Sequence, residues 1–200
     1  MIASSRMAST DESSAQVVGT TRWLRLETIT YSTEDGVEKK WDRAVRTTKS
    51  RNPAIPDAVC IKTCLQTDDG DMIVLVRQFR PPIGKYTIEL PAGLIDEGEN
   101  IADAALRELR EECGYQGGVV KSVSPPLAMS PGLTDENVAL VEVELPKQPA
   151  KGKQELEGDE EGRGLEVVLV KKEQFREELA KLAEAGNCIM MCVWGMAQAF

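Results

Sequence analysis

The chain has 200 residues, a formal charge of −9 and no histidine. That length suits one domain with a small appendage, and the acidic balance argues against a nucleic-acid surface. The missing imidazole excludes Ser-His-Asp and Cys-His catalysis and HExxH zinc sites together.

Residues 1–17 are rich in Ser, Ala and Thr and are expected to be a disordered tail. Residues 18–50 read as an N-terminal β-hairpin. Two runs, 20–31 and 37–48, flank a Ser32-to-Gly36 turn and carry Trp23 and Trp41. The rest of the chain, 51–200, reads as the main domain. Strands over 58–66 and 72–79 flank Thr67-Asp68-Asp69-Gly70, a hairpin signal. A turn at 80–84 leads to a strand over 86–90. A helix follows, then strands over 119–123, 137–145 and 165–170. Residues 146–164 form a long, charged, glycine-bearing loop, a length that is usually functional or disordered. Two helices, over 172–185 and 188–200, are expected at the end. Many strands with one central helix and terminal helices make an α/β fold with helices packed on a mixed sheet.

No run is long and apolar enough to span a membrane, and no signal-peptide core is present. Cys60, Cys64, Cys113, Cys188 and Cys192 lack a CxxC spacing and are expected to be buried free thiols in a reducing compartment. The cytoplasm is the expected location, with the nucleus as the alternative.

The most informative stretch is Gly93 to Tyr115, GLIDEGENIADAALRELREECGY. Asn100 is a good N-cap, Asp103 falls in the first turn, and Gly114 lies just past the end of the helix. At about 100° per residue, Ile101, Ala102, Ala105, Leu106, Leu109 and Cys113 share one apolar arc. Glu108, Glu111 and Glu112 sit on the edge of that arc. Acids three and four residues apart on a half-buried face repel one another and lose hydration. A hard divalent cation resolves both problems, and carboxylate oxygens are what Mg²⁺ prefers.

The same residues resemble the Nudix box. Gly93 is followed after five residues by Glu99, and after seven more by Arg107-Glu108-Leu109-Arg110-Glu111-Glu112-Cys113-Gly114. Only Tyr115 departs, where the family prefers an aliphatic residue, and that position is one for packing. Gln78-Phe79-Arg80-Pro81-Pro82, Glu89-Leu90-Pro91-Ala92-Gly93, Ser130-Pro131-Gly132-Leu133, Trp23 and Trp41-Asp42 with Arg46 look like the ADP-ribose pyrophosphatase branch of the Nudix hydrolases. The likeness covers roughly residues 20–200.

It implies a Nudix α/β/α sandwich and a Mg²⁺-dependent homodimer, with Mn²⁺ as an alternative metal. Such an enzyme cleaves ADP-ribose to AMP and ribose 5-phosphate, and its N-terminal hairpin reaches the partner's active site. Hydrolysis of other ADP-sugars or of oxidised nucleoside diphosphates is the alternative. A non-enzymatic binding module is a third class, although such modules usually lose box carboxylates. The implied metal ligands are Glu108, Glu112 and the carbonyl of Ala92, with Glu111 joining for further ions. Glu99 and Arg107 are expected to brace the loop against the helix. Trp23 and Trp41 are expected to stack on adenine. Arg46 and Arg80 are expected on the diphosphate or terminal ribose, with Asp42 and Leu94 also in the substrate site. The branch draws its general base from the loop before the last strand. Its strict position lands near Arg163, so the expectation passes to Glu161 or Glu160.

Overall fold

The computed structural model describes residues 7–48, 54–147 and 164–197. The chain forms two compact units. One comprises Met1–Asp57 with Leu127–Val138, and the other Ala58–Pro126 with Ala139–Phe200.

The first unit is built on an antiparallel three-stranded sheet. Its strands are β1 (Ser9–Thr20), β2 (Leu24–Ser32) and β3 (Glu38–Arg46), in that order. The expected hairpin is β2–β3, in register from Leu24 opposite Arg46 to Ser32 opposite Glu38. Gly36, at φ 81°, closes the turn between them with its N–H on the Thr33 carbonyl.

The expectation of a disordered tail over 1–17 is corrected over 9–17, which belong to β1, while residues 1–6 lie outside the described residues. A polar, Ser- and Thr-rich segment has too little apolar surface to fold alone, but an edge strand needs backbone partners more than burial. β1 finds them along β2, with shifts in register after Asp11 and Val17. Side chains secure the first shift. Ser14 Oγ accepts from the Thr30 N–H at 2.7 Å, and Arg43 donates to both oxygens of Glu12 at 3.0 and 2.6 Å.

The segment 127–138 joins this sheet. Ala44 N–H donates to the Leu133 carbonyl at 2.9 Å, and Ala44 makes a parallel bridge with Thr134. The short strand β9 (Leu127–Ala128) pairs with the start of β10 (Asn137–Glu144).

The second unit holds the mixed sheet. Its strands are β4 (Ala58–Thr67), β5 (Gly70–Arg80), β6 (Lys85–Glu89), β7 (Ala92–Leu94), β8 (Val119–Val123), β11 (Glu166–Lys171) and β12 (Cys188–Ile189). With β10 the order runs β12-β6-β5-β4-β10-β8; β11 pairs with β5 and β7 with β4. The β12–β6 pair is parallel.

Helix α1 (Ile101–Cys113) matches its expected span, with both caps in place. Asn100 Oδ1 accepts from the Asp103 N–H at 2.9 Å, and Gly114, at φ 68°, donates to the Arg110 carbonyl at 2.8 Å. Such a side-chain cap stabilises a helix by about 1 kcal/mol. The helix buries Ala104, Ala105, Leu109 and Cys113 against Val59, Ile61, Val74, Val76 and Val141. Tyr115 is fully buried in the same core, the packing role expected of that position. Helix α2 (Phe175–Glu184) buries Phe175 and Leu179.

The expected helix over 188–200 is also corrected. Cys188 and Ile189 pair with Thr87 and Ile88 as β12, and Met190 N–H donates to the Ile88 carbonyl at 3.0 Å. Among the described residues of this segment, Met191–Met196 form the helix, α3. The exposed edge of β6 captures the first residues of that segment before they can enter a helix. Among the described residues, no helix is long and apolar enough to cross a membrane.

Candidate active site

Arg107 organises the loop that leads into α1. Its Nε and Nη2 each donate to one oxygen of Glu99 at 2.9 Å, a two-pronged bond across eight residues. Nη2 also donates to the Leu94 carbonyl at 2.9 Å. Nη1 donates to Glu108 at 2.7 Å and to Glu111 at 3.1 Å. Glu99 in turn accepts from the Asp96 N–H at 3.1 Å. The guanidinium bonds hold the Glu99 carboxyl below its usual range, and the carboxylates around Arg107 raise its own pKa further, led by Glu99. The expected Glu99–Arg107 brace is therefore present as geometry.

The acids expected to bind metal lie beside this brace. Glu112 is buried and accepts from the Ala92 N–H at 2.8 Å. Glu108 lies against Gly93, where an added Cβ would sit 1.9 Å from its Cδ. β7 carries both Ala92 and Gly93 and is fixed to β4 by the pairs Cys60–Ala92 and Val59–Gly93. The one residue type without a Cβ thus lets the strand pass under a helix carboxylate. Glu111 is held by Arg107 and, at 3.3 Å, by Arg110. Among the described residues no three acids or thiols already converge as a metal cage. The Arg107 guanidinium and the Ala92 N–H hold the carboxylates that would form one. All of these donors are hard oxygens on one helix face, which fits a cation such as Mg²⁺.

On the β5–β6 hairpin, Arg80 donates Nε and Nη2 to the two oxygens of Glu89 at 2.8 and 2.7 Å. The Thr87 hydroxyl also donates to Glu89. Burial pushes the Glu89 carboxyl up, but the bonds from Arg80 and Thr87 outweigh it and hold the group below its ordinary range. Sequence reasoning missed Glu89 and Thr87. The available signal was one acid directly between the apolar Ile88 and Leu90.

The first unit carries the remaining expected residues. Trp23 and Trp41 are both about half exposed, and Arg22 lies over the Trp23 ring at 4.4 Å. Trp41 Nε1 donates to the Gly132 carbonyl at 3.3 Å, and Tyr31 meets its ring edge-on. Asp42 accepts from Thr28 Oγ1 at 2.6 Å. Arg46 is ion-paired with Glu136. Trp41 lies opposite Ile29, and Thr47 donates its N–H to the Trp23 carbonyl. The two tryptophans are therefore offset by six residues along the ladder, or roughly 20 Å at a strand's rise. One chain's pair does not sandwich a single base. Glu160 and Glu161 lie outside the described residues.

All five cysteines are free. Cys60 and Cys113 are buried, as expected, and burial raises the Cys113 thiol well above its usual range. Cys188 and Cys192 are exposed instead.

Comparison with known proteins places the chain among relatives. The NUDIX domain family matches residues 56–186. An ADP-ribose pyrophosphatase of Saccharomyces cerevisiae is 40% identical over 179 residues, covering 88% of this chain and 76% of the relative. An ADP-sugar pyrophosphatase of Mus musculus is 35% identical over 170 residues, covering 84% and 77%. The crystal structure of an ADP compounds hydrolase has the same fold, with a TM-score of 0.59, 21% identity, and coverage of 87% and 83%.

Proposed function

The chain belongs to the Nudix family and is a Nudix pyrophosphohydrolase, and from that premise we propose that it cleaves the diphosphate of ADP-ribose to AMP and ribose 5-phosphate. The observation that carries this reading is the set of box carboxylates Glu108, Glu111 and Glu112 on one face of α1, with Glu108 seated on Gly93 and Glu112 on the Ala92 N–H. The named activities of the yeast and mouse relatives support the substrate class. The mouse relative also favours a second reading, in which other ADP-sugars are the substrates.

In the proposed site, Glu108, Glu112 and the carbonyl of Ala92 hold Mg²⁺, or Mn²⁺ in its place, and Glu111 joins for further ions. A divalent cation there would polarise a phosphoryl oxygen and lower the pKa of a bound water. Water adds to one phosphorus, the bridging P–O bond breaks, and the water proton passes to a base supplied by Glu161 or Glu160. Arg80 and Arg46 orient the diphosphate and ribose through guanidinium forks. Leu94 and Asp42 line the substrate.

Trp23 and Trp41 stack on adenine. Their offset within one chain supports a pair closing on one base from two chains. A homodimer through the N-terminal sheet supplies that arrangement. An isolated small sheet also gains from a surface to pack on. The free thiols suit a reducing compartment, so the cytoplasm, with the nucleus as the alternative, is the proposed location.

The test is a hydrolysis panel of ADP-ribose, ADP-glucose and 8-oxo-dGDP with Mg²⁺, together with a metal-free control. The expected result is metal-dependent release of AMP, fastest from ADP-ribose. Turnover of none of the three would overturn the enzymatic reading in favour of a binding module.

A further inference from the structure

The buried carboxylate of Glu89 is a feature the Nudix box does not explain. Glu89 is 7% exposed, and its neighbours Ile88 and Leu90 are buried apolar residues. A charge taken that far out of water is costly unless it is paired and hydrogen-bonded. The chain supplies a matched partner, because the Arg80 fork meets both carboxylate oxygens and Thr87 adds a hydroxyl donor. The hairpin register pairs Val76 with Glu89, Gln78 with Thr87 and Arg80 with Lys85. Alternation along the strands therefore puts Arg80, Thr87 and Glu89 on the same face as Val76, the face that packs under α1.

Arg80 keeps 46% of its side chain exposed. The buried acid thus fixes the Nε and Nη2 edge of a side chain that is only half buried. Three residues beyond Glu89, the Ala92 N–H bonds Glu112. One short run of backbone therefore positions both the Arg80 fork and a box carboxylate.

We propose that Glu89 is a positioning and specificity-determining residue for the diphosphate, acting through Arg80. This rests on the hydrolysis of ADP-ribose proposed above. Glu89 sets the direction of the Arg80 donors and cancels most of their net charge. A site of that kind rewards an oriented internal diphosphate more than additional negative charge. The terminal diphosphate of ADP carries one charge more than the internal diphosphate of ADP-ribose. That extra charge meets the field of Glu89, so ADP is disfavoured relative to the substrate.

The experiment measures kcat and KM for ADP-ribose, and Ki for ADP, at fixed ionic strength and saturating Mg²⁺. The proteins are wild type, Glu89→Gln and Thr87→Val. Loss of the Glu89 charge is expected to raise KM for ADP-ribose while leaving Ki for ADP unchanged or lower. The ratio of Ki to KM should fall by about 5-fold or more, with kcat changed less than about 3-fold. A purely structural role would move both constants together and leave their ratio unchanged. Thr87→Val should shift the ratio in the same direction by about 2-fold, because a neutral donor holds Glu89 less strongly than a charged one. If Glu89→Gln does not fold, the Thr87→Val ratio decides the matter. An unchanged ratio in the folded variants overturns the role of Glu89. Failure of the wild type to cleave ADP-ribose would instead overturn the functional reading.

Discussion

Gly93 and Glu108 compete for the same space: a Cβ on Gly93 would lie 1.9 Å from Cδ and 2.0 Å from Oε1 of Glu108. The atoms it would meet are the far end of one side chain, so Gly93→Ala is expected to displace the carboxylate rather than the fold. Activity should fall by about 10²-fold or more, as expected when a ligand to a catalytic metal is misplaced. Tm should change little. Glu112→Gln, which keeps an acceptor for the Ala92 N–H but loses the charge, should give the same pattern. Near wild-type turnover in either variant would remove these residues from the metal site.

The proposed adenine site, with Trp23 and Trp41 offset along one chain, is expected to depend on assembly. Trp23→Ala should raise KM for ADP-ribose by roughly 5- to 100-fold, the equivalent of one lost base–aromatic stack, and lower kcat far less. Light scattering at the assay concentration should give the mass of a dimer. A monomer with full activity would count against the shared site.

Glu160 and Glu161 are the two acids proposed as the source of the general base. Glu160→Gln and Glu161→Gln, assayed separately at saturating Mg²⁺, should show one variant with kcat reduced by ~10²-fold and KM little changed. If both keep their activity, neither acid is the base.

Acid should act on the Glu89–Arg80 pair in a defined direction. The Glu89 carboxyl is held below its ordinary value by Arg80 and Thr87 against the opposing effect of burial. The unfolded chain then binds the proton more tightly, so the stabilising contribution is complete above the unfolded pKa of about 4.3 and is lost as pH falls through the lower folded value. Urea unfolding of wild type and Glu89→Gln at pH 7 and near pH 3 should show the wild-type advantage shrinking in acid. A gap that stays constant would mean that the carboxylate charge contributes nothing to folding.

The sequence by itself determined α1 and the order of the acids it carries. The N-cap at Asn100, the glycine at 114, the apolar arc and the spacing of Glu99, Arg107, Glu108, Glu111 and Glu112 are local features, readable from the helical period alone. Hairpins with short turns were legible for the same reason, because their partners are close in the chain.

What the tertiary structure decided depends on partners far apart. β1 is a strand only because β2 offers it an edge. Cys188 and Ile189 leave the expected helix because β6 offers them a parallel partner. Arg46 meets Glu136 across 90 residues. The Gly93 approach to Glu108 needs β7 and α1 brought together. No local propensity encodes these contacts, because their energy comes from backbone pairing and from partnering charges that only the folded chain brings within reach.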